Sequence, residues 1–204
     1  MARSPPSVSS AVRIRTSIVA EPAARKRRLF VGVALDEPAR TSCAAVVRAL
    51  QETGFDARYE LPEKLHVTLA FLGFVDPSRF DEIVAGLTRA GAGSKRFRIT
   101  FDKLGAFPHE RRPRVIYVGA RDQGAGFRNL AKSVRKTFAE MGFEFKEDAV
   151  AHVTIARVKE AKRPLPLVEV APTAVEIQGL ALFESLPDPA RKTSRYEIVA
   201  TAAL

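Results

Sequence analysis

The sequence predicts an α+β protein of two similar lobes, with mainly antiparallel β-sheets lining a central cleft and helices outside. Short runs alternating apolar and polar residues are interleaved with stretches in which apolar residues recur at i, i+3, i+4 and i+7, so strands and helices alternate along the chain. Both halves contain a helix followed by an apolar strand. Each of those strands carries the same phrase: "HVTLAFLG" starts at His66 and "HVTIAR" starts at His152. The two motif strands are expected to face each other across the cleft.

In chain order, "LFVGVAL" (29–35) is read as a strand and residues 38–52 as a helix. The turn "ETGFDARYELPEK" leads to a strand over 65–72. Asp76 is placed to cap a second helix with Pro77 at its first position, where a missing N–H costs nothing, and Phe80, Ile83, Val84 and Leu87 form its apolar stripe. "RFRITFDKLGAF" alternates Phe97, Ile99 and Phe101 with polar residues and reads as one half-buried strand, with "RVIYVGA" as the next. A third helix carries Phe127, Leu130, Val134, Phe138 and Met141 on one face and stops at Gly142, and the strand "AVAHVTIARV" follows it. The Pro-punctuated "KEAKRPLPLVEVAPT" reads as a surface connection. "AVEIQGLALFES" and "SRYEIVATAAL" read as two closing strands on either side of the loop "LPDPARKT".

Of 204 residues, 46% are apolar, enough for one bilobal domain, placed at 29–204. Residues 1–28 hold seven Arg and Lys against Glu21, a net +6, while the remaining 26 basic and 22 acidic residues leave +4. That head is rich in Ser, Pro and Arg and reads as a disordered basic extension. "RRLFVGVAL" has the look of a twin-arginine export signal, but its apolar run stops at Asp36 and Glu37, so it reads as a strand and a cytoplasmic location is expected. No run of about 18 apolar residues exists, which excludes a membrane-spanning helix. A monomer is expected. Cys43 lies on the stripe of Ala39, Val46, Val47 and Leu50 and is read as core packing.

Side chains alternate between the faces of a strand, so His66 and Thr68 share one face while Val67 and Leu69 take the other. His152 and Thr154 stand in the same relation to Val153 and Ile155. A lone histidine in an apolar strand is usually a packing residue. Repeating the polar pair is harder to explain that way, because each group left unpaired costs on the order of 1 to 3 kcal/mol. Zinc wants three or four protein ligands, and the third histidine, His109, lies in the charged loop "FPHERRPRV", so no metal and no other cofactor are expected. A nucleophilic threonine needs a base aligned on its hydroxyl, whereas these Thr and His are parallel neighbours. All four groups find a use at a phosphodiester: one imidazole takes a proton from water, the other protonates the departing oxygen, and two hydroxyls hold the non-bridging oxygens. The ordinary imidazole pKa near 6.5 sets an expected optimum near neutrality.

These motifs resemble the 2H phosphoesterase superfamily, whose signature is two His-x-Thr/Ser-x motifs. More narrowly, they are similar to the bacterial RNA 2',3'-cyclic phosphodiesterases, historically named 2'-5' RNA ligases. The resemblance spans residues 29–204 through "RLFVGVAL", "LPEKLHVTLAFLG", "LGAFP", "RPRVIYVG", "HVTIAR" and "LFES" followed by "RYEIVA". It implies hydrolysis of a terminal 2',3'-cyclic phosphate on RNA or an oligonucleotide to a 2'-phosphomonoester. His66 would be the proton donor to the 3' oxygen, His152 the proton acceptor from water, and Thr68 and Thr154 the phosphate-binding residues. Arg157 matches a family arginine near the ligand, against the plainer reading of a solvent-facing strand-end residue. Phe71 is a possible base-flanking ring, although core packing is the favoured reading. The alternatives are action on 2'-5' linked RNA as hydrolase or ligase, and a non-catalytic RNA-end-binding module using the basic head with Arg111, Arg112 and Arg114. Tyr59, Lys64 and Ala151 stand where the family often has Trp, Asn and Pro, and the segment "KEAKRPLPLVEVAPT" where it often has a helix. These departures bear on substrate preference more than on chemistry.

Overall fold

A computed structural model describes residues 25–204. The expected extension therefore lies outside the described residues up to position 24, and its last two residues belong to the fold. The first strand, β1 (Arg27–Ala34), takes in Arg27 and Arg28. Arg27 is held by an ion pair to Glu184 at 2.6 Å and by the Phe80 ring, 4.0 Å from its guanidinium carbon. A charge count cannot anticipate those partners.

Helix α1 (Glu37–Glu52) begins under Asp36, whose carboxylate accepts the Ala39 N–H at 3.0 Å, and buries Ala39, Cys43, Val46 and Leu50. Burial pushes the Cys43 thiol up to about 12, consistent with a packing residue. After β2 (Arg58–Tyr59) comes β3 (His66–Val75) with the first motif. Asp76 does cap, but what it caps is a single 3-10 turn, Pro77–Arg79, and α2 (Phe80–Gly91) starts after it. The chain continues through β4 (Phe97–Phe101), β5 (Lys103–Phe107), β6 (Val115–Gly119) and α3 (Gly124–Glu140), which ends before Gly142 at φ 88°. Then follow β7 (His152–Arg157) with the second motif, β8 (Thr173–Ile177), β9 (Gly179–Asp188) and β10 (Thr193–Ala203).

The main sheet has the order β10-β9-β1-β3-β7-β6-β5, with β2 on β7, and a second sheet pairs β4 with β8. All pairings are antiparallel. The first lobe is β10-β9-β1-β3 and the second β7-β6-β5. They join through one register pair, Val67 opposite Val153, so the motif strands meet edge to edge at the middle of the molecule. The helices pack on the face that carries Val67, Leu69, Val153 and Ile155, which are 2% exposed or less.

Two expected strands prove to be two strands each. "RFRITFDKLGAF" breaks at Asp102, whose backbone N–H donates to the Gly119 carbonyl at 2.9 Å and whose carboxylate accepts the Arg121 N–H at 2.9 Å. "AVEIQGLALFES" breaks at Gln178, between β8 and β9. Each break hands the chain from the small β4–β8 sheet to the main one. At each break the apolar alternation slips by one residue, from Phe97, Ile99 and Phe101 to Leu104 and Ala106, and from Val175 and Ile177 to Leu180 and Leu182, but the slip alone does not name the new partner. The closing hairpin is also tighter than expected, turning over residues 189–192 with Lys192 at φ 51°. No helix among the described residues is long and apolar enough to cross a membrane.

Candidate active site

Because β3 and β7 meet at Val67 and Val153, the residues flanking that pair fall on the opposite, helix-free face, and all four motif side chains converge there. His66, Thr68, His152 and Thr154 line one cavity of about 480 Å³. Both rings are held alike. The Nδ1–H of His66 donates to the Lys64 carbonyl at 2.6 Å, and that of His152 donates to the Val150 carbonyl at 2.9 Å. A carbonyl only accepts, so each neutral ring carries its proton on Nδ1 and keeps Nε2 as an acceptor. His66 Nε2 lies 3.0 Å from the Thr68 hydroxyl, which donates to it in the neutral form.

Aromatic walls back both imidazoles, and these residues escaped the sequence reading. Phe30 and Phe183 tilt against His66 at centroid distances of 4.8 and 5.3 Å, and Tyr196 meets it edge-on at 5.2 Å. His152 is met edge-on by Phe107 at 5.2 Å and Tyr117 at 5.4 Å. The Tyr117 ring fits because Gly105 and Gly119 flank it; a Cβ at either would lie 2.6 or 2.8 Å from that ring. A signal was available. "LFVG" at 29–32 and "IYVG" at 116–119 place an aromatic two residues before a glycine, each in a strand that pairs with a motif strand.

Burial disfavours imidazolium and lowers the His66 pKa to about 4; the Lys64 carbonyl and the Glu60 carboxylate oppose the shift, while His152 and Arg157 add to it. Burial, reinforced by Arg157, also lowers His152. In the free protein both rings are therefore neutral at pH 7.

Glu60 also went unnoticed in the sequence. Its side chain is only 8% exposed and takes Lys64 Nζ at 2.6 Å and Arg157 Nε at 3.1 Å. Burial raises its pKa, but Lys64 and Arg157 outweigh that and hold it below the usual carboxylate range. Its backbone N–H donates to the Ile155 carbonyl of β7 at 2.8 Å, whereas Lys64 lies two residues before His66 at the start of β3, so the ion pair bridges the two lobes beside the carbonyl that holds His66. Arg157 stands exposed at the end of β7, as the plainer reading expects, and it is also paired with Glu60 and lines the cavity. One sequence reading needs correction here. Phe71 is not core packing: at 64% exposure it stands at the cavity mouth, because bulges in β3 re-aim it. Arg111, Arg112 and Arg114 lie exposed between β5 and β6, outside the cavity lining. His109 is exposed, and among the described residues no group of three or more His, Cys, Asp and Glu could hold a metal ion.

Glu60→Gln is expected to destabilise the fold by about 3 kcal/mol, the lower end for leaving a buried charge unpaired, because Thr193 still accepts from Lys64. It should also lower the His66 pKa further. Denaturant unfolding and an NMR titration of the imidazoles check both, and unchanged values would mean the bridge is inert.

The 2'-5' RNA ligase superfamily matches residues 36–189. An RNA 2',3'-cyclic phosphodiesterase of Aeropyrum pernix is 32% identical over 166 residues, covering 76% of this chain and 93% of that protein. One of Archaeoglobus fulgidus is 36% identical over 132 residues, covering 65% and 73%. A solved Thermus thermophilus structure superposes with a TM-score of 0.66 at 28% identity, covering 87% of this chain and 97% of that one. With paired His-Val-Thr strands at the junction of two antiparallel lobes and a match over most of its length, the chain belongs to the 2'-5' RNA ligase superfamily.

Proposed function

We propose that this protein hydrolyses the terminal 2',3'-cyclic phosphate of RNA to a 2'-phosphomonoester without a metal or other cofactor. The observation that carries the reading is the matched pair of imidazoles in one cavity, each with Nδ1 tied to a backbone carbonyl two residues earlier. Packing does not require two rings with the same unprotonated nitrogen in a cavity with two threonine hydroxyls. The names of the A. pernix and A. fulgidus relatives support the substrate class.

In this mechanism the cyclic phosphate lies between the rings, and the Thr68 and Thr154 hydroxyls donate to its non-bridging oxygens. Neutral His152 accepts a proton at Nε2 as the water oxygen bonds to phosphorus. The P–O3' bond breaks, and protonated His66 gives its Nε2 proton to O3'. A 2'-phosphomonoester and a free 3' hydroxyl result, with the two rings' proton states exchanged until solvent resets them. His66 is neutral in the free protein, so the bound phosphodiester anion must supply the charge that favours its protonation. The domain of this activity is 29–204 extended by Arg27 and Arg28.

A pH dependence follows. kcat/KM reports the free enzyme, in which both imidazoles titrate below 6.5, so its bell should peak on the acid side of pH 6.5 and not near neutrality. kcat reports the complex, where the phosphate raises the acid's pKa, so its alkaline limb should lie at higher pH. A kcat/KM maximum at or above pH 7 would contradict this electrostatic account. The function itself is tested with a 2',3'-cyclic mononucleotide and EDTA, followed by identification of the product. EDTA-resistant release of the 2'-monophosphate is expected; abolition by EDTA, or a 3'-monophosphate product, would refute the reading.

A further inference from the structure

The two bulges in β3 do more than expose Phe71. Between Thr68 and Ala70, and again between Phe71 and Gly73 (φ 73°), the strand carries one residue more than β1 opposite it, so Gly32 pairs with Thr68, Phe30 with Phe71 and Arg28 with Phe74. Residues directly opposite in an antiparallel pair point to the same face. Arg28 and Phe30 are two apart on β1, so Arg28, Phe30, Phe71 and Phe74 all share the face of His66 and Thr68. Phe30 also pairs with Phe183 and Phe183 with Ile198, which extends that face across β9 and β10. Phe71, Phe74 and Ile198, at 64, 67 and 50% exposure, therefore stand on the catalytic face of the first lobe. Arg28 and Phe71 line the cavity, while Phe74 lies beyond it.

Resting on the phosphodiesterase reading above, we propose that this face is a track for single-stranded RNA leading to the cyclic phosphate, with Phe74 stacking a base upstream of the terminal nucleotide and Arg28 facing the intervening backbone phosphate. Exposed aromatic rings interleaved with a cation are how proteins hold single-stranded nucleic acid, since every base has a π-face and every linkage a negative charge. Continuity with the cavity selects that occupant. A mononucleotide confined to the cavity leaves Phe74 unused, whereas a chain entering from this side passes over it, and a purely apolar protein patch would not place an arginine at the step toward the phosphate site.

The test uses the full chain, a 2',3'-cyclic mononucleotide and a fluorescein-labelled tetraribonucleotide ending in a 2',3'-cyclic phosphate. Phe74→Ala and Phe74→Leu should each weaken tetranucleotide binding by about tenfold, the scale of one lost base–aromatic stack, and Phe74→Trp should preserve it. For Phe74→Ala, kcat/KM on the tetranucleotide should fall by a similar factor while mononucleotide turnover stays within about twofold of wild type. Unchanged tetranucleotide affinity, or equal losses on both substrates, would overturn the track. If neither substrate is turned over, the hydrolase reading fails by itself, and the binding comparison still decides the track.

Discussion

His152→Ala is expected to lower kcat on a 2',3'-cyclic nucleotide by about 10² to 10⁴, the usual contribution of a general base, while the protein stays folded. The backbone of β7 is secured on one side by β6 and on the other by β3 and β2, and Val153 and Ile155 keep the strand anchored in the core when the ring is removed. The ring's own packing partners, Phe107 and Tyr117, meet it only edge-on. Activity should therefore fall far more than stability. Binding of the cyclic nucleotide should change little, because both threonines and His66 remain. Steady-state kinetics together with circular dichroism check this, and a folded variant with near wild-type kcat would remove His152 from the mechanism.

His66→Ala is expected to cost a similar factor on the same substrate, for the opposite reason: the 3' oxygen must then depart as an alkoxide or take its proton from water. Its pH profile should differ from that of His152→Ala. The alkaline limb should flatten when the acid is gone, and the acidic limb when the base is gone. The two rings are close enough for each charge to affect the other, so the wild-type limbs belong to the pair and only the variants separate them. The removed ring also leaves a gap against Phe30, Phe183 and Tyr196, so a larger stability loss is expected here than at position 152.

Much of this molecule is legible in its sequence, for identifiable physical reasons. The period of two in "HVTLAFLG" and "HVTIAR" fixes which side chains share a face, and the structure brings His66, Thr68, His152 and Thr154 to one cavity. The α+β architecture follows from the order of periodic segments. What stays hidden depends on contacts between distant segments. The slip of the apolar alternation at Asp102 and Gln178 marks a break, but which sheet each piece joins is set by its distant partners. Glu60 looks like one more charge in a turn until β2 docks on β7 and buries it against Lys64. The bulges that expose Phe71 and Phe74 are defined by register against β1, and only a structure supplies that register. The depressed histidine pKa values likewise come from aromatic walls contributed by five other strands, β1, β5, β6, β9 and β10.

In the proposed mechanism two like imidazoles divide the proton transfers, one serving water and the other the departing oxygen. Comparing substrates with different leaving groups tests it most directly: a 2',3'-cyclic nucleotide, whose 3' oxygen needs a proton, against a p-nitrophenyl phosphodiester, whose leaving group does not. His152→Ala should lose activity heavily on both. His66→Ala should lose about 10² or more on the cyclic nucleotide and much less on the p-nitrophenyl ester. Equal losses for His66→Ala on the two substrates would show that His66 does not protonate the leaving oxygen, and would contradict the division of roles.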